Sequence, residues 1–569
     1  MHPDHLGDQG REEVDVILVT GDAYVDHPAF GAALVGRYLQ GLGLRVAVLA
    51  QPDWRDPEAF RLFGRPRLFF GVTAGNLDSR LAARTAQRKV RSDDPYSPGG
   101  RPGRRPDLPS IVYTQRIRQA FPGVPVILGG VEASTRRLAH YDFWSDSVRH
   151  PILLDAKADL CVYGMAERAL GEVVAGLRAG KSPGELRDIP GTVFALGGKE
   201  VPAGFPAGAR ELPSAEEVMA DPAAFARMTR MIHRNLRPES AAVLVQRSAG
   251  RAVVVNPPAH PLARAELDRL YEAPFQRRPH PSYGEPVPGL ETVRHSVTVT
   301  RGCFGGCAFC SLALHQGPEV SSRSPASVLR EVEAMASLPD WKGVVTDVGG
   351  PTANLYGLGC GKPGTRAKCR RTSCLHPRIC RNLRTDHGPF IDLLSRLRGL
   401  EAVRHVFTAS GVRFDLALRS PEYIRALAAH HTGGLLSVAP EHSEPSVLRL
   451  MRKPGLETFD AFAAAFRKAG IDAGKKQHLS LYLLVGHPGC GEEEGRALAR
   501  ALQERNLRPR QVQEFIPLPM TLSACMFHTG IHPLTGEKVR SSKKLSEKRR
   551  QKKQAFWWQG ARPGRKKSE

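Results

Sequence analysis

Short apolar runs alternate with helix-spaced segments over the first two hundred residues. Residues 14–19 form an apolar run ending in a Gly loop, and 30–39 carry helix-like spacing. Gly41 and Gly43 break that spacing, and 45–50 form a second run, the order of a βαβ unit. Further runs lie at 67–72, 124–130 and 158–167, and Gly21, Gly71, Gly129 and Gly164 fall at their C-terminal ends. Strands alternating with helices predict an α/β fold, a doubly wound parallel sheet over residues 1–212 with ligand loops at the strand ends. Residues 213–290 are mixed and end with five prolines, Pro274, Pro279, Pro281, Pro286 and Pro288, which disfavour regular elements. This segment reads as a linker packed on the surface.

A second α/β pattern occupies residues 291–530. "HSVTVT" at 295–300 alternates as a strand and leads into a cysteine-rich loop. The helix after it is well signalled, with Ser324 as N-cap, Pro325 at the first helical position and Val328, Val332 and Met335 on one face. Strand-like runs follow at 342–350, 403–410, 434–439 and 479–486. Repeated βα units predict a barrel or partial barrel with its active face at the strand C-termini. A Cys-rich basic insertion covers 358–385, and 531–569 reads as a basic, disordered tail.

Composition changes the picture in two ways. The start of the chain is polar and acidic, and no run reaches the ~18 apolar residues of a membrane helix, so the expected address is the cytoplasm. There thiols stay reduced, and clustered cysteines point to metal or catalysis before disulfides. The net charge is +24, and residues 537–569 hold 13 Lys and Arg against 3 acids. That balance favours a polyanionic partner, nucleic acid being the commonest.

Three cysteines, Cys303, Cys307 and Cys310, fall within eight residues in "RGCFGGCAFC". Zinc sites use four ligands, and a thioredoxin-like pair needs only two thiols. Three thiolates on a loop loosened by Gly305 and Gly306 suit three corners of a [4Fe–4S] cubane with one iron left open. A three-Cys zinc site completed by His295 or His315 is the competing reading.

Cys-x3-Cys-x-aromatic-Cys after a first barrel strand resembles the signature of the radical S-adenosylmethionine (radical SAM) superfamily. "DAYVDHP", "NPPAHPL", "RGCFGGCAFC", "HQG", "SRS", "DVGGPTANLYG", "SGVRFDL" and "APEH" resemble its YgiQ-like subfamily, from about residue 14 to about 532. The resemblance implies a [4Fe–4S] cluster on Cys303, Cys307 and Cys310 whose open iron holds S-adenosylmethionine. It also implies a one-electron donor such as flavodoxin or ferredoxin. Reductive cleavage would give methionine and a 5′-deoxyadenosyl radical. Gly349 and Gly350 match the superfamily's Gly-Gly-Glu position, although Pro351 replaces the acid. Ser410, Arg413 and Glu441 are the remaining expected contacts to the cofactor.

Cys360, Cys369, Cys374 and Cys380 lie within 21 residues and form a candidate second metal site, structural zinc or an auxiliary Fe–S cluster. The N-terminal domain resembles the cobalamin-binding domain that precedes many radical SAM barrels. The base-off motif Asp-x-His-x-x-Gly is missing, since the loop reads Asp26-His27-Pro28-Ala29-Phe30-Gly31; a base-on mode needs no such His, but a vestigial or substrate-binding domain is expected rather than cobalamin. The substrate is open. The tail, the basic Cys loop and "FWW" at 556–558 favour RNA. The alternatives are a small metabolite, lipid or peptide, or a cluster protein for binding or redox sensing without turnover.

Overall fold

The computed structural model describes residues 14–205 and 208–559. Among the described residues nine strands share one sheet: β1 (Val16–Thr20), β2 (Val46–Ala50), β3 (Phe69–Thr73), β4 (Val126–Gly129), β5 (Leu160–Val162), β6 (Thr192–Leu196), β7 (Arg210–Glu211), β8 (Leu244–Ser248) and β9 (Arg251–Val255). Their order is β7-β8-β9-β6-β5-β4-β3-β1-β2. The five strands β2-β1-β3-β4-β5 are parallel. This is the flavodoxin-like order, in which ligands bind beyond the C-terminal ends of β1 and β3. Alternation buries both faces: Val16 and Leu18 pack with helices α1 (Gly31–Gly41) and α2 (Glu167–Arg178), while Ile17 and Val19 join the opposite core with Tyr113 and Ile117.

Residues 213–290 are not a linker. β8 and β9 form an antiparallel hairpin, and β9 pairs with β6, so the segment completes the first sheet. Its turn is Ala249-Gly250, both at positive φ (49° and 70°), the geometry that two-residue hairpins favour. Among the prolines from 274 onward, Pro279 pairs with Val25 in a two-residue ladder and Pro288 opens a short helix, Pro288–Glu291.

The second domain carries β10 (Ser296–Thr298), β11 (Val344–Val345), β12 (Asp347–Gly349), β13 (His405–Val406), β14 (Leu435–Glu441), β15 (His478–Val485) and β16 (Val512–Glu514). The pairings β10–β12, β11–β13 and β14–β15–β16 are all parallel, and a parallel bridge links Val412 to Val438. This is a partial (β/α) barrel. Helix α3 (Pro325–Ala336) starts as its sequence predicts, with the Ser324 hydroxyl accepting the Ser327 N–H at 3.1 Å, and it buries Val328, Val332 and Met335.

The expected disordered tail is ordered through residue 559; 560–569 lie outside the described residues. Helix α5 (Leu545–Ala555) packs on α4 (Glu492–Glu504) and on β16. Gln551 is buried; its Oε1 accepts the Gly486 N–H at 2.8 Å and its Nε2 donates to the Gly491 carbonyl at 3.0 Å. Phe556 and Trp557, expected to stack bases, pack instead on the barrel core. Several tail cations are paired within the chain, Lys543 with Asp146, Lys552 with Glu514 and Arg550 with Glu492.

Lys548, 1% exposed, donates from Nζ to the Phe515 carbonyl at 2.9 Å among the rings of Phe143, Phe515 and Phe527. Burial lowers its pKa to about 7. Above that pH the folded amine is neutral while the unfolded chain still binds the proton, so stability rises with pH until the ordinary lysine value is reached. The stability of wild type relative to Lys548→Met is therefore expected to rise by about 2 kcal/mol between pH 7 and pH 9. Denaturant titrations at both pH values measure it; a difference that does not change would contradict the buried amine.

Candidate active site

The cysteine loop hangs between two short strands that pair antiparallel, Thr300–Arg301 with Ser321–Ser322. Gly302 has φ +84°, and a Cβ there would overlap the Glu319 carbonyl, so only glycine lets the chain leave the strand at this point. The Cys303 N–H donates to the Gly317 carbonyl at 3.1 Å across the loop. Sequence reasoning placed the flexible positions at Gly305 and Gly306. Gly306 does have positive φ (62°), but Gly305 does not, and Gly302 is the second left-handed position.

Cys303, Cys307 and Cys310 are half-buried free thiols. Burial and the neighbouring Cys307 charge raise the thiol pKa of Cys303 and Cys310, so thiolates here need compensating donors. Those donors are present. The Gly305 N–H points at Cys303 Sγ at 3.4 Å, the Leu312 N–H at Cys310 Sγ at 3.5 Å, and Arg413 Nη1 at Cys307 Sγ at 3.5 Å. Arg413 is held by Asp415 through contacts of 2.9 and 2.5 Å. Burial works against its charge, while Asp415 and the Cys307 and Cys303 thiols favour it. Amide and cationic donors to sulfur are the groups that tune Fe–S thiolates, so this donor set fits a cluster. Among the described residues no three His, Cys, Asp or Glu side chains close on a point that a single ion would occupy. The case for a cluster at Cys303, Cys307 and Cys310 thus rests on donor chemistry.

The two histidines of the zinc alternative are engaged elsewhere. His315 Nδ1 meets Ser134 Oγ at 3.0 Å, and His295 packs edge-on against Trp341.

The expected cofactor contacts divide into two sets. Gly349, Gly350 and Ser410 line a chamber of about 700 Å³ between the two domains, together with Asp347 and Pro351. An added Cβ at Gly350 would overlap Thr300, so this glycine is also required by strand packing. Asp347 is locked in place: Oδ1 accepts the Ala409 and Ser410 N–H groups at 2.6 and 3.1 Å, and Oδ2 accepts the Ser410 hydroxyl. Arg413 and Glu441 instead gather at the thiols. Glu441, at φ +68°, lies 3.5 Å from Lys453 Nζ, and burial raises its carboxyl pKa against that cation.

The second cysteine group packs on the first. Ser373 Oγ donates to the Gly305 carbonyl at 2.6 Å, and the Cys374 N–H donates to the Phe304 carbonyl at 3.0 Å. Cys374 feels Cys380 and Cys369, and burial raises its pKa while Arg237 opposes the rise. Cys360 stands opposite Leu383 in a two-residue ladder.

In the N-terminal loop, Asp26 Oδ2 accepts from Arg37 Nη2 at 2.5 Å. His27 Nδ1 accepts the Ala29 N–H at 3.0 Å, and its Nε2 lies 2.9 Å from Arg277. Both ring nitrogens are occupied away from the chamber. Sequence reasoning missed the buried Arg301–Glu167 pair (2.6 Å), which joins the barrel to α2. An Arg directly before the Gly-Cys step was its only signal.

The Radical SAM N-terminal family model matches residues 1–296 and the Radical SAM superfamily model residues 297–502. A UPF0313 protein of Geobacter sulfurreducens is 51% identical over 549 residues, covering 96% of this chain and 90% of the relative. One from Bradyrhizobium diazoefficiens is 46% identical over 564 residues (95% and 84%). Among solved structures, a radical SAM methyltransferase from Kitasatospora setae with tryptophan and a SAM analogue bound aligns at 16% identity, covering 89% of this chain and 75% of that one. Its TM-score is 0.49. At that level of likeness no cofactor or substrate transfers.

Proposed function

The chain belongs to the UPF0313 family of radical SAM enzymes, and we propose that it carries a [4Fe–4S] cluster on Cys303, Cys307 and Cys310. Such a cluster supplies the electron that splits the sulfonium C–S bond of S-adenosylmethionine. The supporting observation is the donor set at the three thiols, above all Arg413 at Cys307. Gly349, Gly350 and Ser410 would seat the cofactor in the chamber. Flavodoxin or ferredoxin would deliver the electron. The test is electron paramagnetic resonance of the reduced, reconstituted protein: adding S-adenosylmethionine is expected to change the cluster signal. A signal indifferent to it would remove the open-iron reading.

RNA as substrate is a second reading, favoured by one surface. Residues 361–384 hold eight Lys and Arg and no acid, and Lys362, Lys368, Arg370, Arg378, Arg381 and Arg384 are exposed. Changing Lys368, Arg370, Arg378 and Arg381 to Gln is expected to weaken single-stranded RNA binding at least tenfold. The slope of log K against log salt should fall by about 3. Unchanged binding would leave the surface without an RNA role. Iron, zinc and sulfide counts on a Cys303/Cys307/Cys310→Ala triple variant would read whether the second cysteine group holds metal.

A further inference from the structure

The chamber is larger than the cofactor face at one of its walls. It runs from Gly349, Gly350 and Ser410 across the domain boundary to the sheet surface beneath α1 and α2, where Leu18, Phe69, Ile127, Val162 and Leu170 line it. That inner end is apolar and reaches down the sheet from the C-terminal strand ends, where Thr73, Gly75, Gly129 and Gly130 also line the chamber, beside the point where the strand order reverses, the place where this fold binds ligands. A volume of about 700 Å³ is that of a small-molecule pocket.

Thr300 (1% exposed), Glu167 (3%) and Arg301 (6%) are among the deeply buried polar residues that line the same space, with Asp78 and Thr135. Arg301 Nη1 meets Glu167 Oε1 at 2.6 Å, and Arg301 Nε donates to the Tyr271 hydroxyl at 2.9 Å. The other ends of the pair are unused. Arg301 Nη2, Glu167 Oε2 and Thr300 Oγ1 are buried without a hydrogen-bond partner among the described residues, a state that costs stability unless a ligand or water answers it. A second space of about 60 Å³ also meets the pair, lined by Pro258 to Leu262 and His315 to Gln316. The "NPPAHPL" stretch, which carries no role in the cluster reading, and "HQG", whose Gly317 closes the cysteine loop, thus converge on Arg301 and Glu167.

We propose that the interdomain chamber binds a small amphipathic molecule, with its apolar body against Leu18, Phe69 and Ile127 and its polar end on Arg301 and Glu167. One free donor beside one free acceptor matches a group bearing an acceptor next to a donor, a carboxamide or the edge of a nucleobase. Taking that molecule as the radical's target rests on the radical SAM reading above; the binding itself does not, and it is measured without turnover.

The experiment uses the full chain, with and without cluster reconstitution, and nicotinamide, benzamide, adenine and guanine as probes, read by saturation-transfer NMR and calorimetry. At least one probe is expected to bind saturably, and toluene, which lacks the amide, to bind at least tenfold more weakly than benzamide. Arg301→Lys and Glu167→Gln should each weaken the bound probe tenfold or more. Because either change could loosen the domain boundary, Ala32→Phe provides a second route: it fills the apolar end from α1, leaves the ion pair intact, and should also abolish binding. Failure of all four probes to bind, or equal binding to all variants, would reduce the pair to a clasp between domains. Hydroxocobalamin binding that displaces the probe and is indifferent to Arg301→Lys would assign the chamber to another occupant and overturn the proposal.

Discussion

Cys307→Ala is expected to fold normally and to lose both iron and S-adenosylmethionine cleavage. The residue sits at the centre of the loop, between the two thiols whose pKa its charge raises, and it receives the Arg413 guanidinium. Removing it leaves two thiol ligands where a cubane needs three, and leaves Arg413 facing an empty corner. Arg413 stays neutralised by Asp415, so the fold should lose no more than about 1 kcal/mol, within the ordinary range for single substitutions. Iron after reconstitution should fall by about four per chain, the content of one such cluster. 5′-Deoxyadenosine formation should drop by at least about 100-fold, the loss seen when even supporting residues of a metal site are removed. Full iron content in this variant would place the cluster elsewhere.

Gly302→Ala is expected to be nearly as damaging without touching a thiol. Its φ of +84° strains any L side chain, and the added Cβ overlaps the Glu319 carbonyl, a backbone atom that can move only by shifting the segment after "HQG". Strain at such a position and overpacking against backbone together cost about 3 kcal/mol. The loop should then fail to close through the Cys303 N–H bond to Gly317. Gly305→Ala is the matched control: its φ is not left-handed, and the nearest atom to a new Cβ is Cys303 Sγ at 3.3 Å, so the cost should stay under about 1 kcal/mol. Thermal unfolding and visible absorbance after reconstitution compare the two. Equal loss in both would mean that the loop does not turn at Gly302.

What could be seen in the sequence was local. The thiol spacing, the Ser324-Pro325 helix start and the apolar runs of β1 to β5 each carry their signal within a few residues. The hairpin of β8 and β9 carried one too, the Ala249-Gly250 turn between Val-rich runs, but the prolines from 274 onward drew the whole segment into a linker. Helix α5 was hidden by composition. Its buried stripe includes Lys548 and Gln551, polar residues whose partners are a Phe515 carbonyl and the backbone at Gly486 and Gly491. No window of the sequence contains both sides of those contacts. The same holds for the site. Arg301 and Glu167 are 134 residues apart, and only the docking of the first domain on the barrel brings them together and encloses the chamber.

Anaerobic reconstitution, chemical reduction and incubation of the full chain with S-adenosylmethionine measure the central claim most directly. The predicted result is 5′-deoxyadenosine and methionine in equal amounts, dependent on reductant and absent in Cys307→Ala. A cluster-loaded, reduced protein that binds S-adenosylmethionine and leaves it intact would contradict the assignment.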